Sequence, residues 1–135
     1  MKFLTEEWFA EFQPSVLAAF APGKTPTNVT LTLCELYSNV PQIGGNGMWL
    51  FYRFENGVVT ECTRGLDKST APDADYVTDA EYDIVVKLLT GEMANAKAVL
   101  KGLVKIKGNA TKALKLLSVH DVIDDCKRPG GKTEW

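Results

Sequence analysis

The 135-residue sequence is poor in the residues that most catalytic and metal sites require. It has one histidine, His120, and three widely spaced cysteines, Cys34, Cys62 and Cys126, with no CxxC pair. An odd number of isolated cysteines argues against a disulfide framework and a zinc site, and it favours reduced, buried thiols. No GxSxG nucleophile motif occurs either. We therefore expect no catalytic residue and no bound metal.

Motifs for a nucleotide cofactor are incomplete as well. Gly23-Lys24-Thr25 and Gly131-Lys132-Thr133 each match the end of a phosphate-binding loop. The complete motif needs a further glycine five residues upstream, where this sequence has Ala18 and Cys126. Neither match follows a predicted strand, so the sequence predicts no cofactor.

The sequence also has no excess of positive charge and no long apolar run. Its 15 basic and 17 acidic residues give a net charge of −2, which argues against a nucleic-acid partner. No apolar stretch approaches the ~20 residues of a membrane-spanning helix. Glu6 and Glu7 interrupt the N-terminal segment where a signal peptide would be apolar. These observations favour a cytoplasmic globular protein.

Four stretches have the apolar period of an amphipathic helix. Thr5 can cap the first one, and Thr78 with Glu81 forms a capping-box pattern that would open the second. The last helix is expected to turn Leu114 and Leu117 inward. The predicted helices lie at 5–20, 79–90, 92–101 and from 109 onward.

Alternating apolar residues predict strands between these helices. Asn56-Gly57 is a strong signal for a hairpin between two of them. Because an antiparallel set of strands has helices before and after it, the order indicates an α+β protein. The predicted strands lie at Val29–Leu36, Met48–Glu55, Val58–Thr63, Tyr76–Val77 and Leu103–Lys107.

One stretch carries a family resemblance. The stretch Gly102–Asn109, which contains the last predicted strand, reads Gly-Leu-Val-Lys-Ile-Lys-Gly-Asn and precedes the helical element Ala113-Leu114-Lys115-Leu116. With the segment that ends in Leu89-Thr90-Gly91, this order resembles the sterol carrier protein 2 family over about half of the chain. Leu103 and Asn109 depart from the lysine and aspartate that are usual in the family.

The resemblance implies a five-stranded, mainly antiparallel sheet with helices packed on one face and an apolar cavity between the layers. The chain length indicates one domain, placed at residues 1–125, and Pro129-Gly130-Gly131 indicates a loose tail over 126–135. Members bind fatty acids, fatty acyl-CoA or sterols without chemical turnover, so a hydrophobic small molecule is the expected partner. The apolar, inward-pointing residues expected to bind it are Leu33, Leu50, Tyr52, Phe54, Val85, Leu88, Leu89, Met93, Val104, Ile106, Leu114 and Leu117.

Two other interpretations remain open. The first is an interaction module with a filled core, which forms a homodimer or docks a partner through the sheet, where Trp49 and Phe51 point away from the helices. Six lysines and no acid between Met93 and Ser118 offer a second surface, for anionic lipid headgroups or an acidic protein. The other interpretation is a small enzyme acting on acyl thioesters, with His120 or Cys62 as its reactive group.

Overall fold

A computed structural model describes residues 1–24, 28–108, 113–128 and 133–135, with the side chains of 113–115 left out. Several predicted features lie outside the described residues. They are Thr25 of the Gly23-Lys24-Thr25 match, the start of the last predicted helix at 109–112, the side chain of Leu114 and residues 129–132 of the predicted tail.

The described residues form five strands and four α-helices. Each strand and helix expected from the sequence has a counterpart, although several boundaries differ. The strands are β1 (Leu31–Ser38), β2 (Met48–Glu55), β3 (Val58–Gly65), β4 (Tyr76–Glu81) and β5 (Val104–Lys107). The helices are α1 (Glu6–Ala19), α2 (Tyr82–Leu89), α3 (Asn95–Leu100) and α4 (Ala113–Lys127).

The strands form one five-stranded sheet in the order β3-β2-β1-β4-β5. Strand β4 runs parallel to β1 and antiparallel to β5, and the sheet as a whole is mostly antiparallel. The predicted α+β class with a mainly antiparallel sheet of five strands is confirmed. The gathering of all helices on one face and the cavity between the layers stay predictions.

The β2–β3 hairpin has the turn that its sequence predicts. Asn56 and Gly57 adopt φ angles of 51° and 81°, the left-handed conformations that a type I′ turn requires. Two hydrogen bonds fix this turn: the Asn56 N–H donates to Thr30 Oγ1 at 3.1 Å, and the Gly57 N–H donates to the Val29 carbonyl at 2.7 Å.

The chain packs into two compact units. Unit 1 consists of Met1–Leu31, Tyr52–Cys62 and Asn109–Trp135, and unit 2 consists of Thr32–Phe51 and Thr63–Gly108. Each unit has its own buried apolar residues, which are described separately below. The assignment of residues 1–125 to a single domain stays a prediction.

Unit 1 is built on aromatic packing along α1. Thr5 caps this helix as predicted, since its Oγ1 accepts a hydrogen bond from the Trp8 N–H at 3.3 Å. Trp8 stacks on Phe12 with ring centroids 4.5 Å apart, and Phe3 meets Trp8 edge to face at 4.9 Å. These contacts are favourable arrangements for aromatic rings and anchor α1 in the unit.

Helix α4, which packs against α1, corrects one prediction. Its buried side chains are Leu116, Val119 and Ile123, each at most 5% exposed, whereas Leu117 is 59% exposed. The inward orientation expected for Leu117 is therefore wrong. Positions 116, 119 and 123 recur at helical spacing and form a continuous apolar stripe. A stripe through Leu117 would be interrupted one turn later by the charged residue Asp121.

The described parts of the predicted loose tail have defined positions. Helix α4 extends to Lys127, and Glu134 forms a β-bridge with Lys2. The Phe3 N–H donates to the Glu134 carbonyl at 2.8 Å, and the Trp135 ring lies 5.1 Å from the ring of Phe3. The last three residues thus pack against the start of the chain within unit 1.

Strand β4 of unit 2 overturns the predicted capping box. Residues 78–81 belong to the strand, α2 begins only at Tyr82, and no side chain caps the helix at Glu81. The reason lies in the sheet, because β4 pairs with β1 on one side and β5 on the other. Ladder hydrogen bonds on both sides satisfy the backbone better than one local cap would.

Candidate functional site

The predicted ligand-binding residues fall in both units. Unit 1 contains Tyr52, Phe54, Leu114 and Leu117, and unit 2 contains the other eight. Coverage varies within each unit: Leu33, Leu50 and Leu89 of unit 2 are buried like Tyr52 and Phe54 of unit 1, whereas Leu117 is exposed. The members in unit 2 are Leu33, Leu50, Val85, Leu88, Leu89, Met93, Val104 and Ile106.

In unit 1, Tyr52 and Phe54 belong to a packed aromatic core. Both are at most 1% exposed. Phe12 meets Tyr52 edge to face with centroids 6.4 Å apart, and Phe20 meets Phe54 in the same way at 5.1 Å. Rings in such contacts fill space and stabilise the unit. Their contact partners are protein side chains, so they are weaker candidates for ligand contact than the half-buried residues of unit 2.

In unit 2, the ladder register defines one side of the sheet, which we call the Thr78 face. Paired residues on neighbouring strands point to the same side. Thr78 pairs with Glu35 of β1 and with Ile106 of β5. Ala80 likewise pairs with Tyr37 of β1 and with Val104 of β5. The Thr78 face consists of Leu33, Glu35, Tyr37, Tyr76, Thr78, Ala80, Val104 and Ile106.

Coverage of this face decreases from β1 toward β5. Along one row the exposed fraction is 3% at Glu35, 9% at Thr78 and 50% at Ile106. Val104 is half-buried. The prediction that Val104 and Ile106 share a face with buried residues is correct, but Ile106 itself is not buried. The β5 end of the Thr78 face therefore presents apolar surface that protein atoms leave partly uncovered.

Helix α2 shows the same incomplete coverage. Its only charged residues are Asp83 and Lys87, both exposed, and its buried residues are Tyr82 and Leu89 at the two ends. The apolar residues between them are half-buried: Ile84, Val85, Val86 and Leu88. A short helix with this many apolar side chains normally buries them. Val85 and Leu88 are among the predicted ligand-binding residues, whereas Ile84 and Val86 are not. The high density of apolar residues at 84–89 is the sequence signal that could have added them.

Met93 is held close to this helix. Its N–H donates to the carbonyl of Lys87 at 3.1 Å, after Gly91 turns the chain with φ of 83°. The glycine stands at the position where a helix end favours a left-handed residue. The half-buried Met93 side chain is flexible, which suits a wall that adapts to different ligands. The structure thus brings Met93 together with α2, and it groups Val104 with Ile106 on the Thr78 face.

A polar pair interrupts the Thr78 face. The Tyr37 hydroxyl donates to Glu35 Oε1 at 3.2 Å, and both residues are at most 3% exposed. Burial, and secondarily the neighbouring Glu35 charge, raises the pKa of the Cys34 thiol to about 11. Burial also raises the pKa of Tyr82, whose hydroxyl accepts a hydrogen bond from Gln42 Nε2 at 3.0 Å.

Two of the three thiols, those of Cys34 and Cys126, have a raised pKa and are poorly suited to act as nucleophiles. All three cysteines lie among the described residues, and none forms a disulfide. Burial raises the pKa of Cys126 as it does that of Cys34, so both thiols are protonated at neutral pH. Gln13 Nε2 donates to the backbone carbonyl of the buried Cys62 at 2.6 Å, which gives this segment a structural role.

The sheet surface proposed for an interaction module is largely covered. Phe51 is only 2% exposed, so its predicted exposure is wrong. The Trp49 Nε1 donates to Thr70 Oγ1 at 3.2 Å, and a methyl group added at Gly65 would overlap the Trp49 ring. Residues Gly65 and Thr70 therefore pack against Trp49, one of the two aromatic residues that were to contact a partner. Among the described residues, no helix is long and apolar enough to cross a membrane.

Several solved structures of sterol carrier proteins have a fold similar to this one. A crystal structure of sterol carrier protein 2 superposes with a TM-score of 0.70 at 18% identity, covering 93% of this chain and 96% of that one. Palmitated sterol carrier protein 2-like 2 from Aedes aegypti gives 0.57 at 14% identity, covering 87% and 93%. A sec-alkyl sulfatase gives 0.53 at 19% identity, but the match covers 86% of this chain and only 16% of that one.

The chain therefore has the fold of the sterol carrier proteins, as its sequence resemblance predicted. At these identities the likeness defines the fold, and the ligand is a separate question. No protein-family model matches the chain, and no curated protein matches it by sequence.

Proposed function

We propose that this protein is a non-enzymatic, cytoplasmic carrier that binds one hydrophobic ligand, for which an acyl chain is the preferred class. Fatty acids, fatty acyl-CoA and sterol-like lipids all belong to the range expected from the fold. The observation that carries the proposal is the incomplete burial of apolar side chains in unit 2, on α2 and at the β5 end of the Thr78 face. A bound hydrocarbon chain would supply the missing contacts.

The energetics agree with such a ligand. Burying roughly 14 methylene groups contributes about 11 kcal/mol. Association itself costs at least about 4 kcal/mol. The difference corresponds to a dissociation constant in the micromolar range. One of the structural relatives, the Aedes aegypti protein, is described as palmitated, and this supports an acyl chain as the first ligand to test.

The absence of turnover is part of the proposal. Two of the three thiols have a raised pKa and are poor nucleophiles at neutral pH. The interaction-module alternative is also less well supported, because Phe51, which was expected to contact a partner from the sheet, is buried. We therefore favour a carrier over both the acyl-thioester enzyme and the interaction module.

Displacement of a fluorescent fatty acid by unlabelled palmitate tests the proposal. The Leu88→Asn variant places an amide in the half-buried apolar surface of α2 and is expected to weaken binding about thirtyfold. Leu66→Asn is the matched control, since Leu66 is 53% exposed and lies outside the α2 segment. Its affinity should stay within about twofold of the wild type. Equal affinities for all three proteins, or no displacement by acyl chains and sterols, would refute the proposal.

A further inference from the structure

The region from α3 to the end of β5 combines exposed apolar side chains with one sign of charge. We call residues 95–107 the α3–β5 surface. It contains Lys97, Lys101, Lys105 and Lys107, all exposed, and no acidic residue. Helix α1 has the opposite composition. Its exposed charged residues are Glu6, Glu7 and Glu11, and it contains no lysine.

Two apolar side chains of α3 point into solvent. Val99 is 47% exposed and Leu100 is 87% exposed. Helix α3 is anchored by Ala98, which is fully buried. Because successive residues of a helix are rotated by about 100°, Leu100 lies on the side of α3 opposite Ala98. A large aliphatic side chain so exposed costs free energy in water and is typical of an interaction site.

Contacts between α3 and β5 hold the charged and apolar groups in one compact region. The helix packs against the strand, and the Leu103 N–H donates to the Ala98 carbonyl at 2.9 Å. The Gly102 N–H donates to the Val99 carbonyl at 3.1 Å, and Gly102 adopts φ of 70°. The turn between the helix and the strand is therefore defined.

Nearby acidic groups of β4 already have partners. Asp79, which pairs with Lys105 in the ladder, forms an ion pair with Lys68 at 3.1 Å. Glu81 Oε1 accepts a hydrogen bond from Asn39 at 2.9 Å. These two carboxylates are therefore engaged with residues other than the four lysines of the α3–β5 surface.

Strand position decides which partner suits this surface. Strand β5 is at the edge of the sheet, where a second copy of the chain would pair strand to strand. Lys105 and Lys107 oppose that arrangement, because pairing would bring like charges together. An anionic bilayer satisfies both features at once: lysines approach the lipid phosphates, and apolar side chains enter the boundary between headgroups and acyl chains.

We propose that the α3–β5 surface docks this protein onto anionic lipid bilayers. The proposal deepens the carrier function and rests on it, since a carrier of hydrophobic molecules must meet the membrane that supplies or receives them. Docking of this kind is reversible, because it relies on a few charges and a few side chains without a spanning helix.

Sedimentation with vesicles tests the surface directly. The vesicles contain phosphatidylcholine with about one-third phosphatidylserine, or phosphatidylcholine alone, at low ionic strength. The wild type is expected to bind the anionic vesicles only. The double variant K101E/K105E should bind at least about twentyfold more weakly, because each lysine contributes roughly fivefold.

Matched controls separate the surface from net charge. K24E/K87E lowers the net charge equally at two exposed lysines outside the surface, and it should stay within about threefold of the wild type. Leu100→Ser should weaken vesicle binding about tenfold, whereas Leu66→Ser, at another exposed leucine, should leave it unchanged. Equal losses in both double variants would overturn the proposal.

Other partners of the α3–β5 surface would give different experimental results. If Leu100→Ser binds anionic vesicles as well as the wild type does, the surface attracts acidic polymers in general, and the bilayer assignment is wrong. A concentration-dependent dimer in light scattering that Leu100→Ser abolishes would assign the surface to a second copy. Fatty-acid displacement without vesicles distinguishes the two proposals: vesicle docking without ligand binding refutes the carrier, and ligand binding without vesicle docking refutes only this surface.

Discussion

Gly108 shows how a single position in unit 2 depends on its lack of a side chain. It adopts φ of 152°, and an added Cβ would overlap Tyr76 Cδ1 and lie 2.8 Å from the Asp75 carbonyl oxygen. Tyr76 is a buried residue of β4, so it has little room to move. Close packing against β4 therefore explains why the stretch Gly102–Asn109 has a glycine at position 108.

We expect Gly108→Ala to lower the free energy of unfolding by about 2 to 4 kcal/mol, through both the steric overlap and the unfavourable φ. The measurement is urea denaturation. Gly91→Ala is the control, since Gly91 has a φ of 83° but no atom within 4 Å of the added Cβ. Its expected loss is about 1 kcal/mol, from the backbone conformation alone. Equal losses at the two positions would show that the contact with Tyr76 is unimportant.

The Cys34 thiol provides a second prediction at the residue scale, through pH. Its pKa is raised from 9.0 to about 11 in the folded protein. Below pH 9 the thiol is protonated in both the folded and the unfolded chain. As the pH rises from 9 to 11, the unfolded chain loses a proton that the folded chain keeps, so stability falls by up to about 3 kcal/mol.

Urea denaturation across this pH range, with Cys34→Ala as the comparison, measures the effect. The wild type should lose stability more steeply than the variant above pH 9, because the variant has no thiol at this position. Parallel stability curves for the two proteins would mean that Cys34 is not kept protonated by burial.

At the scale of elements, α4 offers two adjacent leucines in opposite environments. Leu116 is 5% exposed, whereas Leu117 is 59% exposed. We expect Leu116→Ala to destabilise the protein by about 2 to 4 kcal/mol, as is usual for a buried leucine. Leu117→Ala should change the free energy of unfolding by less than about 0.5 kcal/mol. The same denaturation experiment compares them, and a larger loss at Leu117 would contradict the register of α4.

Local signals predicted some elements well. Thr5 caps α1, and Asn56-Gly57 forms the hairpin turn, because each depends on hydrogen bonds and backbone angles of neighbouring residues. The pattern at Thr78 and Glu81 is equally local, yet pairing of β4 with two strands overrides it. Sheet pairing is a long-range property, and no local pattern reveals it.

Burial was harder to predict than the elements themselves. Alternation placed Ile106 on the right face of β5, but the sequence does not reveal that coverage of this face ends near the sheet edge. It also placed Phe51 outside, whereas this residue is buried. In both cases the outcome depends on what packs over a strand, which alternation along that strand cannot show.

At the scale of the whole molecule, the fold narrows the function without fixing the ligand. The same fold occurs as a whole chain in sterol carrier proteins and as a small part of a sec-alkyl sulfatase. A fold of this kind is therefore a scaffold, and the function depends on the site that it carries. In this chain the candidate site consists of apolar side chains on α2 and at the β5 end of the Thr78 face, and their partial exposure is the property that a ligand would remove.

Native mass spectrometry of the purified protein tests this claim most directly. The protein is incubated with an equimolar mixture of palmitic acid, palmitoyl-CoA and cholesterol and then measured under non-denaturing conditions. The account predicts a complex of one chain with one ligand, of intact ligand mass, that is strongly reduced in Leu88→Asn and retained in Leu66→Asn. A spectrum showing only the unliganded chain with every one of these ligands would contradict it.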